Sequence, residues 1–516
     1  MAVAAVYAPS VKAPGSLTVW ACQPRAQHAA QMGITWLVKF MSLFQKELIV
    51  DAAPDHAVAA SAALARLWQM AQLPDAALSN ARLTGREPVL ASSFAVSTAA
   101  QVSIAAAALG ACELGHLRGA ARQRVQVDLV HAALECSSWF SVNGVSPDPW
   151  DKFSGLYAGA DGWVRVHANF AHHRDGALRL MGLDPATATR ADAEQVLLGW
   201  RAIDFETAAA NAGLVATAVR SFAQWDLSAQ GQAVAAQPLF TIARIGDAAP
   251  LVLPRLAPDT RPLTGLRVLD LTRILAGPVG TRAMAAYGAD VLLVNAPHLP
   301  NIEAIADTSR GKLSAHADLR CAAGQQALRQ VLSDAHVLVQ GYRPGGLDAL
   351  GLSAHEIIRQ RPGIVLVSLS AYGPQGPWSG RRGFDSLVQT AMGFNHAEGQ
   401  AMGDGKPRAM PMQILDHATG YLIAFGAAAA LVRQQNEGGS WQVQVSLAHT
   451  GQWLRGLGRV VNGLTAGVPD RAPYLESSAS GFGELHAFRH SAELERTPAR
   501  WVLPSVPPGS HPMRWP

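Results

Sequence analysis

Asp416 is the residue best placed to do chemistry. It lies in the run Ile414-Leu415-Asp416-His417-Ala418-Thr419-Gly420, which opens a long apolar helix ending before Asn436-Glu437-Gly438-Gly439. A carboxylate there has two readings. Asp is a preferred helix N-cap, because its oxygens accept from the first unpaired N–H groups. The same N–H groups and the positive end of the helix dipole also favour a carboxylate nucleophile and the oxyanion it would generate. The residues alone leave both open. A second turn, Ala276-Gly277-Pro278-Val279-Gly280, follows a strand but lacks the Gly-x-Gly-x-x-Gly spacing that lets a dinucleotide pyrophosphate reach the backbone, so no NAD site is expected.

Both features sit in a stretch where strands and helices alternate. Leu266–Leu271, Val291–Val294, Val337–Gln340 and Ile364–Leu369 read as buried strands, and Thr281–Tyr287 and Gln325–Leu332 as helices between them. Such alternation predicts a parallel sheet with crossover helices, which binds ligands beyond the carboxyl ends of its strands. Upstream, Tyr157–His167 reads as a hairpin with Asp161-Gly162 in its turn. Pro250, Pro254, Pro258 and Pro262 mark a linker.

The chain also resembles itself. Arg124-Val125-Gln126-Val127-Asp128-Leu129-Val130-His131-Ala132 matches Gln442-Val443-Gln444-Val445-Ser446-Leu447-Ala448-His449-Thr450, and each follows an Ala-rich helix and a Gly-containing turn. The counterpart of Asp416 in the first copy falls among Phe94 to Thr98, where there is no carboxylate, so only one copy is able to use an aspartate. The expected order is an irregular N-terminus over 1–45, a degenerate copy over 46–245, a linker over 246–262, a sheet domain with the aspartate over 263–455, and a Pro-rich tail over 456–516.

Composition limits the rest. The chain has 516 residues with 49% apolar and 16% charged side chains, enough for several packed cores. Lys and Arg total 42 against 38 Asp and Glu, a near balance that carries no nucleic-acid footprint. Four dispersed cysteines suggest neither a zinc knuckle nor a disulfide framework, and the opening residues lack the basic region of a secretory signal. A cytoplasmic location is expected. Pro88 to Cys112 has no charged residue, but it is Ala-rich and carries Ser, Thr and Gln, so it is expected to be a buried helix rather than a membrane span.

From Leu263 onward the sequence resembles the family III CoA-transferases, the CaiB/BaiF-like group that includes formyl-CoA and carnitine CoA-transferases and 2-methylacyl-CoA racemases. The resemblance rests on Leu263–Arg273, Ala276-Gly277-Pro278, Tyr287–Val291, Ser309-Arg310-Gly311-Lys312, Tyr342-Arg343-Pro344-Gly345, Leu350-Gly351-Leu352, Tyr372-Gly373-Pro374 and Gly383-Phe384-Asp385, in that order. Weaker similarity covers 90–245. It implies an α/β fold: a doubly wound, Rossmann-like parallel-sheet domain plus a smaller α+β domain, here in permuted or fused order. The two halves are expected to pack into one CoA cleft.

By this resemblance Asp416 is the nucleophile and Asp385 the assisting acid. Arg320, Tyr342, Arg343, Arg382, Leu275 and Ala276 fall on the CoA site. The implied reaction is CoA transfer from an acyl-CoA donor to a carboxylic acid, through an aspartyl mixed anhydride and an aspartyl-CoA thioester. CoA is then a substrate. No metal and no permanently bound cofactor, nucleic acid or membrane is implied, and the family's interlaced dimers imply a homodimer. Two alternatives are a 2-methylacyl-CoA racemase and a silent CoA-binding subunit. The racemase branch has His where this chain has Phe384, which cannot act as a base, and His417 is the nearest substitute.

Overall fold

The computed structural model describes residues 58–516, so the expectation for the first 45 residues lies outside them. The largest element is a seven-stranded sheet. Its strands are β1 (Phe240–Gly246), β2 (Arg267–Leu271), β3 (Asp290–Asn295), β4 (Lys312–His316), β5 (Val337–Gln340), β6 (Val365–Ser370) and β7 (Ser440–Ser446). They lie in the order β4-β3-β2-β5-β6-β7-β1, with β1 the one antiparallel member. The chain moves outward from β2 to β4 and then returns to β5 on the other side. Ligands of such sheets bind at that reversal, beyond the carboxyl ends of β2 and β5.

Parallel strands covered on both faces must be apolar on both faces, as these are. Val268, Val291, Val337 and Val339 join one core, whereas Leu269, Leu292, Leu338 and Leu366 join another beneath the helices Ala322–Leu332 and Ala354–Gln360. Four further helices matter for the site: α1 (Val96–Leu117), α2 (Ala276–Ala286), α3 (Asp385–Met392) and α4 (Ile414–Glu437). Both α1 and α4 are long and apolar enough to cross a membrane, yet their apolar windows are 100% and 94% buried inside the protein. They are core helices and share one core with α2. A Cβ on Gly420 would stand 2.6 Å from the carbonyl oxygen of Ala276, and one on Gly280 would stand 2.4 Å from that of Gly420. Glycine at both positions lets the start of α4 approach the β2–α2 turn.

The first half repeats part of this arrangement. Ala81–Thr84 pairs in parallel with Val125–Asp128, which pairs antiparallel with Ala492–Leu494. In the large sheet, β6 pairs in parallel with β7, which pairs antiparallel with β1. The outer strand is exchanged in each case: β1 comes from the first half of the chain, and Ala492–Leu494 comes from its end. The expected hairpin forms as Gly155–Ala158 and Trp163–Val166, joined by Ala216–Ala218 in a small antiparallel sheet with its own core.

Residues 456–516 differ from the tail anticipated there. They contain Leu475–Ser480, Gly483–Phe488 and Ala492–Leu494, and the second of these pairs with Phe140–Val142. Leu475–Ser480 and Gly483–Phe488 form a local hairpin, but the partners that tie this segment to the first half lie more than three hundred residues away, so local proline content hides the pairing. Glu135, fully buried, fastens this segment to the rest. It accepts from the Ser491 N–H at 2.8 Å and the Tyr421 hydroxyl at 2.7 Å, and pairs with Arg282 of α2 at 3.3 Å. His490, 3.4 Å away, and then Arg282 and Tyr421 hold the Glu135 carboxyl well below the usual range despite its burial.

Candidate active site

A cleft of about 400 Å³ opens at the carboxyl ends of β2, β3, β5 and β6. Its walls come from both halves. Phe170, His172 and His173 belong to the small domain, whereas Arg273, Tyr342, Phe384 and Asp416 belong to the sheet half. Asp416 is the one carboxylate among the lining residues.

Asp416 is not the helix cap. Gln413 occupies that position without a side-chain cap bond, and Asp416 is the third residue of α4. The capping carboxylate comes instead from Asp385, the first residue of α3, whose Oδ2 accepts from the Asp416 N–H at 2.8 Å. Gln389 donates from Nε2 to Asp385 Oδ1 and to the Met412 carbonyl, the latter at 3.2 Å, which fixes the carboxylate against the helix start. Asp385 is fully buried, and burial pushes it up to about 7 although its hydrogen bonds and Arg165 act the other way. Asp416 is raised well above the usual range, first by burial and then by the neighbouring charge of Asp385. Two carboxyls this close resist joint ionisation, so the pair retains a proton into the neutral range.

The other anticipated residues divide. Leu275 and Ala276 line the cleft at the β2–α2 turn, and Tyr342, Arg343 and Arg382 line it too. Arg382 donates to His173 Nε2 at 3.3 Å and to the Gly213 carbonyl at 3.1 Å, joining the two halves at the rim. Arg320 is absent from the lining. It is exposed and its guanidinium is engaged by Asp318 of its own loop at 2.7 Å. Phe384 stacks on His167 with ring centroids 4.0 Å apart. His417 is buried, bonds through Nε2 to the Ser138 hydroxyl, and is not a cleft residue.

Arg273, Phe170 and His173 were not singled out from sequence. Arg273 had a usable signal, since it follows a strand whose carboxyl end borders the expected ligand crevice. His173 had none, because only tertiary packing brings the small domain to the sheet. The turn after Arg273 is strained: Ile274, a β-branched residue, has φ +76°, where such side chains are rare.

Residues 263–473 match the model of the CoA-transferase family III. Among similar proteins is an acetyl-coenzyme A transferase, nodX, of Hypoxylon pulicicidum. It is 36% identical over 199 residues, covering 38% of this chain and 34% of that protein. An acyl-CoA transferase of Gibberella moniliformis is 29% identical over 377 residues, covering 65% of this chain and 66% of that protein. A crystal structure of a Mycobacterium tuberculosis protein, 30% identical, covers 38% of this chain and 57% of that one with a TM-score of 0.35. The chain thus spans between about a third and two thirds of these proteins.

Proposed function

We propose that the protein is an acyl-CoA:carboxylate CoA-transferase with Asp416 as nucleophile. The observation that carries this reading is the placement of Asp416. It faces a cleft at the sheet's reversal point, in the first turn of α4, while a second carboxylate performs the capping that would otherwise explain it. An Asp416 oxygen attacks the thioester carbon of the donor, the C–S bond breaks, and CoA leaves as thiolate with a mixed anhydride formed. The thiolate attacks the Asp416 carbonyl carbon, releasing the donor's carboxylate and leaving an aspartyl-CoA thioester. The acceptor carboxylate attacks that thioester and expels the thiolate, giving a second anhydride. Attack of the thiolate on the acceptor carbonyl then yields the new acyl-CoA and restores Asp416. Each step exchanges one acyl bond for another, which a positioned carboxylate makes easier than direct exchange.

Asp385 acts as a positioning residue that fixes the backbone of Asp416. Its bond removes the Asp416 N–H from oxyanion duty. At the start of α2 the N–H groups of Ala276, on the cleft wall, and Gly277 lack intrahelical acceptors and are candidates for that role, whereas Pro278 has no N–H and Val279 donates to the Leu275 carbonyl at 2.8 Å. Arg343 and Arg382 at the rim suit the CoA phosphates. The exchange of outer strands supports a fused or permuted order, with the first half standing in for the second chain of an interlaced dimer.

Incubation with an acyl-CoA followed by hydroxylamine tests the proposal. Mass spectrometry is expected to find a hydroxamate at Asp416 and none in Asp416→Asn. Binding of CoA with no adduct at Asp416 would overturn it and leave a silent CoA-binding subunit. The racemase reading loses support, because Phe384 is packed on His167 and His417 points away from the cleft.

A further inference from the structure

Three buried polar atoms in the cleft wall have no hydrogen-bond partner among the described residues: Arg273 Nη1, His173 Nδ1 and Asn295 Oδ1. An unsatisfied buried donor costs about 1–3 kcal/mol, and more when it is charged. Two of the three are donors. Arg382 donates to His173 Nε2, so that nitrogen accepts and the ring proton lies on Nδ1. Arg273 is always charged, and its Nη1 has no partner among the described residues.

The two donors flank one ring. The Arg273 guanidinium carbon is 5.9 Å from the centroid of Phe170, and the His173 ring stands nearly perpendicular to Phe170 at a centroid distance of 5.9 Å. His173 is 5% exposed. Burial and the neighbouring cations push His173 down to about 4, so its imidazole is neutral and the charged group with an unpartnered donor in the seat is Arg273, Arg382 lying on the far side of the imidazole at Nε2. A planar monoanion matches a forked guanidinium with one further neutral donor. A CoA phosphate keeps much of its hydration and is better served by the exposed Arg343 and Arg382.

We propose that Arg273 and His173 form the seat of the acceptor's carboxylate, one donor from each half of the chain. Identifying the occupant as an acceptor rests on the CoA-transfer reading, but the seat itself is testable by binding alone. Titration calorimetry on the full chain would compare succinate with its uncharged diamide, succinamide, and with CoA. Arg273→Gln is expected to weaken succinate roughly tenfold or more, Arg273→Lys to recover part of the loss, and His173→Leu to weaken it about threefold. CoA binding should stay unchanged in the two Arg273 variants, which also reports that they fold, and succinamide should not bind.

The seat is overturned if Arg273→Gln leaves succinate binding intact or weakens CoA as much as succinate. It is equally overturned if the native protein binds CoA but not succinate. Adduct formation at Asp416 needs no acceptor, so its failure would sink the CoA-transfer reading separately.

Discussion

The starts of α1 and α4 share one capping arrangement and differ in the kind of side chain at its third position. In α4, the N–H of the third residue, Asp416, donates to a carboxylate from another element, Asp385. In α1, the N–H of the third residue, Thr98, donates to Glu87 Oε1 at 2.8 Å, and the Thr98 hydroxyl bonds the same oxygen at 3.1 Å. Both caps satisfy an orphan donor. In the first half the third side chain completes the cap. In the second half it is another carboxylate, pressed against the first and oriented into a cleft. Capping explains Thr98 fully and leaves Asp416 unexplained, while the repulsion between Asp385 and Asp416 disfavours the charged form of Asp416.

That comparison can be broken at either end. The largest effect expected is from Asp416→Asn, which should lower CoA transfer by on the order of 10³-fold or more, measured as acyl-CoA exchange. The same substitution removes a carboxyl whose charged form is disfavoured in the folded state. It should therefore raise stability at pH 8 by about 1–3 kcal/mol in urea unfolding, and by less at pH 5, where the native carboxyl is protonated.

Thr98→Asp would recreate the pair in the first half. It should destabilise the protein by about 1–3 kcal/mol without producing a second adduct; a second labelled aspartate would show that the halves differ by this residue alone.

Asp385→Asn sharpens the comparison through pH. Asp416 must be ionised to attack, and burial together with the charge of Asp385 raises its pKa, so adduct formation in the native protein should fall with decreasing pH well above the usual carboxylate range. Removing the Asp385 charge lowers the Asp416 pKa, so that acid limb should move to lower pH. An unmoved limb would detach Asp385 from the nucleophile. The smallest effect is expected from Thr98→Val, a loss of about 1 kcal/mol from one hydroxyl bond, with activity unchanged.

Much of the second half was readable because its signals are local. Buried parallel strands are short runs of Val and Leu, the β2–α2 turn is marked by Ala276-Gly277-Pro278, and Asp416 stands just inside an apolar helix. Arg320 shows where segment-level reasoning stops: its neighbourhood belongs to the sheet's crevice side, yet Asp318, two residues away, holds its guanidinium outside the cleft. His173 could not be read at all, because its importance depends on a contact with Arg382 more than two hundred residues away. The end of the chain was misread for the same reason, since Ala492–Leu494 becomes a strand by pairing with Val125–Val127.

Periodicity and turn chemistry were thus enough to determine that there is an α/β sheet with an aspartate at a helix start, since both are set by neighbours within a few residues. Three matters were decided only in the tertiary structure: which half supplies each outer strand, which carboxylate caps α4, and which cations meet in the cleft. Those contacts join residues distant in the chain, and their energies depend on burial and mutual distance, which no local pattern contains.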